Sequence, residues 1–412
     1  MGEALAMRLE DDRFDRFRRI SWWEQDRLHA AKVLVIGAGA LGNEVLKNLA
    51  LLGIGQVFIA DLDRIDRSNL SRSILFREED CGRPKAQVAA EAVVKIYPEM
   101  ETQWFHGDVI NELGLGVFEW ADLVIGGLDN REARLWINRY CWKTNRPFID
   151  GATEVLQGVV RVFVPPNGAC YECTMSAADW EVLKERRGCD GMRPAGLPVA
   201  MIPTTPVTAS IIAALQCQEA VKLLHGITGL AGHGFVFNGA SNESYTFRIN
   251  VKETCNSHEG LDQIIRLNRS TSDMSMIELL ERAQSDLGAG TVVEFNQELL
   301  ISFRCSRCDG VEPVLRPLGS VLETAAVCPA CRQNREAVTA ASISGAEPFL
   351  DRTFSELGIP RFDIVSGRKG LRRFGYQFFA DGPAVMGRLW NFRTAATQEE
   401  NLERPERRHR PD

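Results

Sequence analysis

The segment from Lys32 to Asp63, KVLVIGAGALGNEVLKNLALLGIGQVFIADLD, leaves few folds open to this chain. Val33 to Ile36 is a continuous apolar run, short enough to be a strand buried on both faces. It runs into Gly37-Ala-Gly39-Ala-Leu-Gly42, after which Leu41, Val45, Leu46, Leu49 and Leu52 recur at helical spacing. Gly53 and Gly55 break that helix, and Gln56 to Ala60 reads as a second buried strand ending at Asp61. Strand, glycine loop, helix, strand and terminal acid make a nucleotide-binding βαβ unit. Its glycines let the backbone approach a phosphate at the helix N-terminus, and its acid can hold ribose hydroxyls. Dinucleotide oxidoreductases and adenylating enzymes both use this unit, so the nucleotide stays open at this point.

Strands continue to alternate with helices. Thr102 to Phe105 is predicted as a third strand, Ala121 to Ile125 as a fourth and Pro147 to Ile149 as a fifth, with a helix over Glu132 to Lys143. This order predicts a doubly wound parallel sheet of Rossmann type, with ligands beyond the C-terminal ends of its strands, where Asp61 and Asp129 both fall. From Gly151 the pattern turns to short strands, with a hairpin or edge strand over Val155 to Val164. A long apolar helix follows over Thr208 to Leu224, then strands over Phe235–Phe237 and Tyr245–Val251.

The expected domains are a helical arm over 1–30, the nucleotide-binding domain over 31–260, and a smaller α+β accessory domain over 261–400. A disordered tail over 401–412 completes the chain. The charged arm reads as a solvated face, and the polar stretch 257–275 as a linker. With 412 residues, 45% hydrophobic, this is ample for two or three cores. The net charge of −7 argues against a general nucleic-acid binder. No apolar run is long enough for a membrane span, and the N-terminus lacks the apolar core of a signal peptide, so a cytoplasmic location is expected.

The eleven cysteines are not scattered. Six form three Cys-x-x-Cys pairs and a seventh lies in Cys255-Asn-Ser-His258, a pattern that favours metal over disulfides in a chain without export signals. Cys170, Cys173, Cys255 and His258 form one candidate zinc set. Cys305, Cys308, Cys328 and Cys331 have the spacing of a zinc ribbon over 305–331. With no open position, both sites would be structural. Cys81, Cys141 and Cys217 read as structural or core residues.

The ordered motifs GAGALG, DLDRIDRSNLSR, GRPKA, GLDNREARLWINRYC and CYEC resemble the adenylation domain of the ubiquitin-activating (E1-like) superfamily, which includes the bacterial ThiF and MoeB proteins. The resemblance covers roughly residues 10–260; the ribbon lies beyond it. It implies that Gly37, Gly39, Gly42, Asp61 and Asp63 line ATP. It places Asn69, Arg72 and Lys85 around the triphosphate and Asp129 on Mg²⁺. It also implies a homodimer in which an arginine of the arm, Arg16 or its neighbour Arg13, reaches the other subunit's site. The family usually carries four cysteines where this chain has His258 in the last place; imidazole is an ordinary zinc ligand.

The implied reaction is attack of a protein's C-terminal glycine carboxylate on the α-phosphate of ATP. Cys189 lies in the segment where many relatives carry a reactive cysteine. It is the candidate for taking the acyl group as a thioester before transfer to an E2-like carrier, with Arg186, Arg187 and Arg193 lowering its pKa. Two other readings are sulfur-carrier activation that stops at the acyl-adenylate and a nicotinamide oxidoreductase. The second leaves Arg72, Lys85 and the zinc pairs without purpose.

Overall fold

The structure, a computed structural model, describes residues 12–187, 191–192 and 203–390, without the side chains of 184–187. Cys189, Arg193 and the 401–412 tail therefore lie outside the described residues, as do the side chains of Arg186 and Arg187.

Eight strands form the first sheet: Lys32–Ile36 (β1), Gln56–Asp61 (β2), Glu101–His106 (β3), Leu123–Gly126 (β4), Phe148–Glu154 (β5), Gln157–Phe163 (β6), His233–Asn238 (β7) and Glu243–Arg248 (β8). Their order is β3-β2-β1-β4-β5-β6-β7-β8, parallel through β5 and antiparallel beyond it. The apolar runs of β1 and β2 are buried on both faces because each face meets a helical layer. Val33, Val35, Val57 and Ile59 pack under helices Ala40–Leu52, Lys85–Ile96 and Pro206–Leu224. Leu34, Ile36, Phe58 and Ala60 face helices Leu115–Trp120 and Arg131–Lys143. The Pro206–Leu224 helix is long and apolar enough to cross a membrane; here it packs on the Ala40–Leu52 helix and on β5 and β6, with Gln216 and Glu219 buried.

The second sheet has six strands: Gln263–Leu267 (β9), Val292–Arg304 (β10), Val311–Pro317 (β11), Glu336–Ile343 (β12), Ile364–Lys369 (β13) and Arg372–Phe378 (β14). The order is β11-β10-β13-β14-β9, with β12 also paired to β10. Helix Met276–Leu287 covers it, opened by a reciprocal Ser275–Glu278 capping box.

Three expectations are corrected. The polar stretch 257–275 is not a plain linker: Gln263–Leu267 becomes β9, paired in parallel with β14, because Ile264, Ile265 and Leu267 supply apolar surface. The arm is not merely a solvated face. Phe14 is buried edge-on against Tyr97, and Phe17 packs on Trp23, which in turn packs on His225. Of the hairpin and edge-strand readings of Val155 to Val164, the hairpin holds and the edge is corrected: Gln157–Phe163 pairs antiparallel with β5, and β7 and β8 continue the sheet past it.

Candidate active site

The glycine loop sits where β1 hands over to the Ala40–Leu52 helix. Gly37 has φ +94°, and a Cβ there would lie 2.6 Å from the Gly127 carbonyl oxygen; a Cβ on Gly42 would lie 1.9 Å from the Gly37 oxygen. These two are glycine because backbone meets backbone. Gly39 differs: nothing lies within 4 Å of its Cβ position, so the start of the helix faces open space where an anion can meet it. Asn43, buried on the same helix, donates to the carbonyls of Ala38 (2.7 Å) and Gly39 (3.0 Å) and accepts from the Leu75 amide (2.9 Å). It ties the glycine loop to the loop that carries Asn69 and Arg72.

Asp61 ends β2 and accepts from the amides of Ala38 (2.6 Å) and Asp63 (2.7 Å). Enclosure pushes its carboxyl above the ordinary range, offset in part by Lys85 and these two amides. Ribose hydroxyls donating to it would favour the carboxylate. Lys85 is buried and its Nζ lies 2.8 Å from Asp63. Asn69 accepts from the Asp66 amide (3.0 Å), and half-buried Arg72 donates to the Ser68 carbonyl (2.7 Å). Asp129 is exposed just beyond β4, next to Asn130, which caps helix Arg131–Lys143 by accepting from the Ala133 amide (2.7 Å).

The fold thus gathers Gly37, Gly39, Gly42, Asp61, Asp63 and Lys85 at one edge of the sheet, with Asn69 and Arg72 on the adjoining loop and Asp129 beyond the neighbouring strand. It does not bring Arg16 to this edge of its own chain. The exposed Arg16 lies beside Phe14, which packs against Gly53 and Tyr97 at the opposite end of the sheet. Arg13 is engaged there, donating to the Ile96 carbonyl (2.9 Å) with its guanidinium 5.0 Å from the Tyr97 ring. A cleft of about 540 Å³, lined by Arg27, Lys32 and Asp122 among others, also opens at that far end and holds none of the nucleotide-edge groups.

Beneath the edge lies a polar network that the motif reading missed. Asp150 is fully buried between Arg134 (Nε 2.9 Å) and Arg161 (Nη1 2.8 Å), and Arg134 also donates to the carbonyls of Leu128 and Gly151. Gln216 donates to the Gly126 (2.8 Å) and Ile149 (3.2 Å) carbonyls. Together they fix the ends of β4 and β5, from which Asp129 projects. The signal was present: Arg134 and Gln216 are polar residues at apolar-face positions of their helices.

Cys170, Cys173, Cys255 and His258 converge, with sulfur separations of 3.4 and 3.8 Å and 3.4 Å from Cys173 Sγ to His258 Nε2. Tetrahedral zinc with Zn–S bonds of about 2.3 Å places its ligand atoms ~3.8 Å apart, so the donor set fits that metal, whereas a disulfide needs about 2 Å. His258 stacks on Trp142 at 4.4 Å. Burial holds its imidazole below the ordinary range, toward the neutral form that ligates. In the ribbon, Cys305 lies 3.4 Å from Cys331 and Cys308 lies 3.7 Å from Cys328, and all four sulfurs lie within 4.8 Å of one another. Cys141 and Cys217 are buried as expected, while Cys81 is exposed.

The ThiF family model matches residues 12–257. The SUMO-activating enzyme subunit uba-2 of Caenorhabditis elegans is 41% identical over 155 residues, which is 37% of this chain and 27% of that protein. The NEDD8-activating enzyme E1 catalytic subunit of Saccharomyces cerevisiae is 41% identical over 153 residues, 35% of this chain and 51% of that protein. The chain therefore spans about a quarter to a half of the length of these relatives. E. coli MccB solved with ATP superposes with a TM-score of 0.51 at 23% identity, over 61% of this chain and 75% of that one, a likeness of fold.

Proposed function

The chain belongs to the ThiF family, and on that footing we propose that it uses Mg·ATP to adenylate the C-terminal glycine of a ubiquitin-like protein. One observation carries the reading. The open helix start at Gly39 adjoins a ribose-competent acid, Asp61, and a buried cation, Lys85, whose partner Asp63 sits on the same edge. A glycine carboxylate is ionised near neutral pH, so the attack needs no side-chain base. Its oxygen attacks the α-phosphorus, the bond to the β-phosphate oxygen breaks, and pyrophosphate leaves. Lys85, Arg72 and Asn69 would hold the triphosphate and offset charge growing on its oxygens. Asp129 suits Mg²⁺, a hard ion that neutralises phosphate charge. SUMO- and NEDD8-activating relatives favour a ubiquitin-like substrate over a sulfur carrier.

In a second step the Cys189 thiolate attacks the acyl carbon and displaces AMP, leaving a thioester for an E2-like carrier. Arg16, anchored away from the nucleotide edge of its own chain, suits a role in a second copy's site within a homodimer. The two cysteine-rich sets would each hold one structural zinc.

The test combines the chain, Mg·ATP and a ubiquitin-like protein ending in an exposed glycine. Pyrophosphate exchange dependent on that protein supports adenylation; its absence refutes it. On a non-reducing gel, a thiol-sensitive adduct lost in Cys189→Ala supports the thioester. Exchange without an adduct means that the enzyme stops at the acyl-adenylate.

A further inference from the structure

The helix that begins beside Asp129 also forms a wall of the first cysteine set. On the Arg131–Lys143 helix, Trp142 follows Arg139 by three positions and Asn138 by four, so these side chains share one side. Each meets the loops that bear the ligands. The Trp142 ring stacks on His258. Arg139 pairs with buried Glu172 at 3.1 Å, and Glu172 accepts from Ser257, the residue before His258. Asn138 is 1% exposed, and its Oδ1 accepts from the Tyr171 amide, next to Cys170, at 2.8 Å. The other half of that side chain is unpaired. Its Nδ2 is buried with no hydrogen-bond partner among the described residues, and the group it faces is the Cys170 sulfur. A buried donor without a partner is costly. A zinc-bound cysteine is a thiolate, a far better acceptor than a thiol, so metal at this set would satisfy the amide.

We propose that Asn138 is a positioning residue of this metal centre: its Nδ2 donates to the Cys170 thiolate of the loaded site and so locks the ligand loops to the helix that begins beside Asp129. The link to nucleotide binding rests on the reading of Asp129 as the Mg²⁺ ligand. Asparagine suits the role because one side chain must accept from the Tyr171 amide and donate to a sulfur at once; aspartate offers no donor and leucine offers neither group. The start of the same helix is held by the Asn130 cap and by Arg134, which donates to the Leu128 and Gly151 carbonyls. A helix of 13 residues is about 20 Å long and stiff, so a lock at Asn138, two turns in, bears on the end that Asp129 precedes. Coupling of this kind is reciprocal. Whatever factor the metal adds to Mg·ATP affinity, Mg·ATP adds to metal affinity.

The test uses the full-length, zinc-loaded protein, with zinc retention measured by competition against a zinc-selective chromogenic chelator. Asn138→Ala should lower retention at one site about tenfold or more, the usual effect of deleting a residue that supports a metal ligand. Asn138→Asp keeps an oxygen for the Tyr171 amide but turns a second one on the thiolate, and should lower retention further. With cobalt in place of zinc, the sulfur-to-metal charge-transfer band should move to longer wavelength in Asn138→Ala, because a thiolate that loses its hydrogen bond gives up an electron more easily. A variant that only loosened packing would leave that band in place. Saturating Mg·ATP should raise zinc retention about fivefold or more in wild type and less than about twofold in Asn138→Ala. Unchanged retention in both variants, or weaker retention with an unmoved band, would overturn the hydrogen bond to Cys170. Retention that ignores Mg·ATP, in a wild type that binds the nucleotide, would overturn the lock on the helix. A wild type that binds no Mg·ATP would refute the nucleotide reading instead, and retention and band position would then decide the role of Asn138 alone.

Discussion

Gly39 and Gly42 differ by three positions in one loop, yet alanine should damage them in opposite ways. A Cβ on Gly42 would stand 1.9 Å from the Gly37 oxygen, with no flexible side chain to yield. Alanine gains up to about 1 kcal/mol of helix propensity there, but the forced backbone shift costs about 1–3 kcal/mol. Gly42→Ala should therefore lose roughly 1–2 kcal/mol, enough to lower the melting temperature by a few degrees. Gly39 meets nothing within 4 Å, and its φ of −74° suits alanine. Its replacement at the helix N-cap costs no more than about 1 kcal/mol. The added methyl instead occupies the approach to the helix start and lengthens the contact between backbone N–H groups and phosphate. Each charge-assisted hydrogen bond lost there is worth about 1.5–3 kcal/mol, so ATP affinity should fall about 10- to 100-fold. Calorimetric titration with Mg·ATP and thermal melts of both variants measure the two effects separately. The reasoning fails if Gly39→Ala binds ATP like wild type, or if it melts lower than Gly42→Ala.

Lys85→Met should lower pyrophosphate exchange about 10²- to 10³-fold with the fold retained, whereas a loss under threefold would remove the cation from the chemistry. Asp363, buried where the two sheets' layers meet, is pushed up to about 6 by burial. A carboxyl raised in the folded state favours folding while protonated, so its contribution is full below about pH 4 and is lost as the pH climbs through 6. The stability gap between wild type and Asp363→Asn, from urea melts, should thus shift by up to about 3 kcal/mol between pH 4 and 6.5; a pH-independent gap would contradict this. Metal release followed with a chromogenic chelator should give two zinc ions per chain and one in either Cys173→Ser or Cys308→Ser. A single ion in the wild type would dismiss one of the two sites.

The first domain was legible because each of its features has a local cause. The double-faced burial of β1 and β2 shows as unbroken apolar runs, and the glycine loop shows as glycine wherever two backbones touch. The cysteine sets were legible because metal ligands come in short-spaced pairs, even though Cys170 and His258 are 88 positions apart in chain numbering (258 − 170). The second sheet was largely hidden. Its β9 lies in a polar stretch and β13–β14 among arginines, such as Arg373, which pairs with Glu259 at 2.6 Å.

The second unit is also more than an appendage to the first domain. A Cβ on Gly114 would lie 2.4 Å from the Arg361 oxygen, and one on Gly116 would lie 2.3 Å from the Phe362 oxygen, so these glycines exist to admit the second unit's backbone. The Leu115 amide donates to Asp363 (2.8 Å), Lys143 donates to Asn296 (2.8 Å), and Gln297 donates to the Tyr140 hydroxyl (2.6 Å). Phe362, Met386 and Leu389 share one apolar core with Phe118 and Tyr140. Lys143 and Tyr140 lie at the end of the Arg131–Lys143 helix, whose opposite end begins at Asn130, directly after Asp129. A helix is stiff over that length, so the contact at Lys143 bears on the orientation of the strand end that presents Asp129. The second unit therefore meets the candidate machinery through this helix, at the Asp129 side.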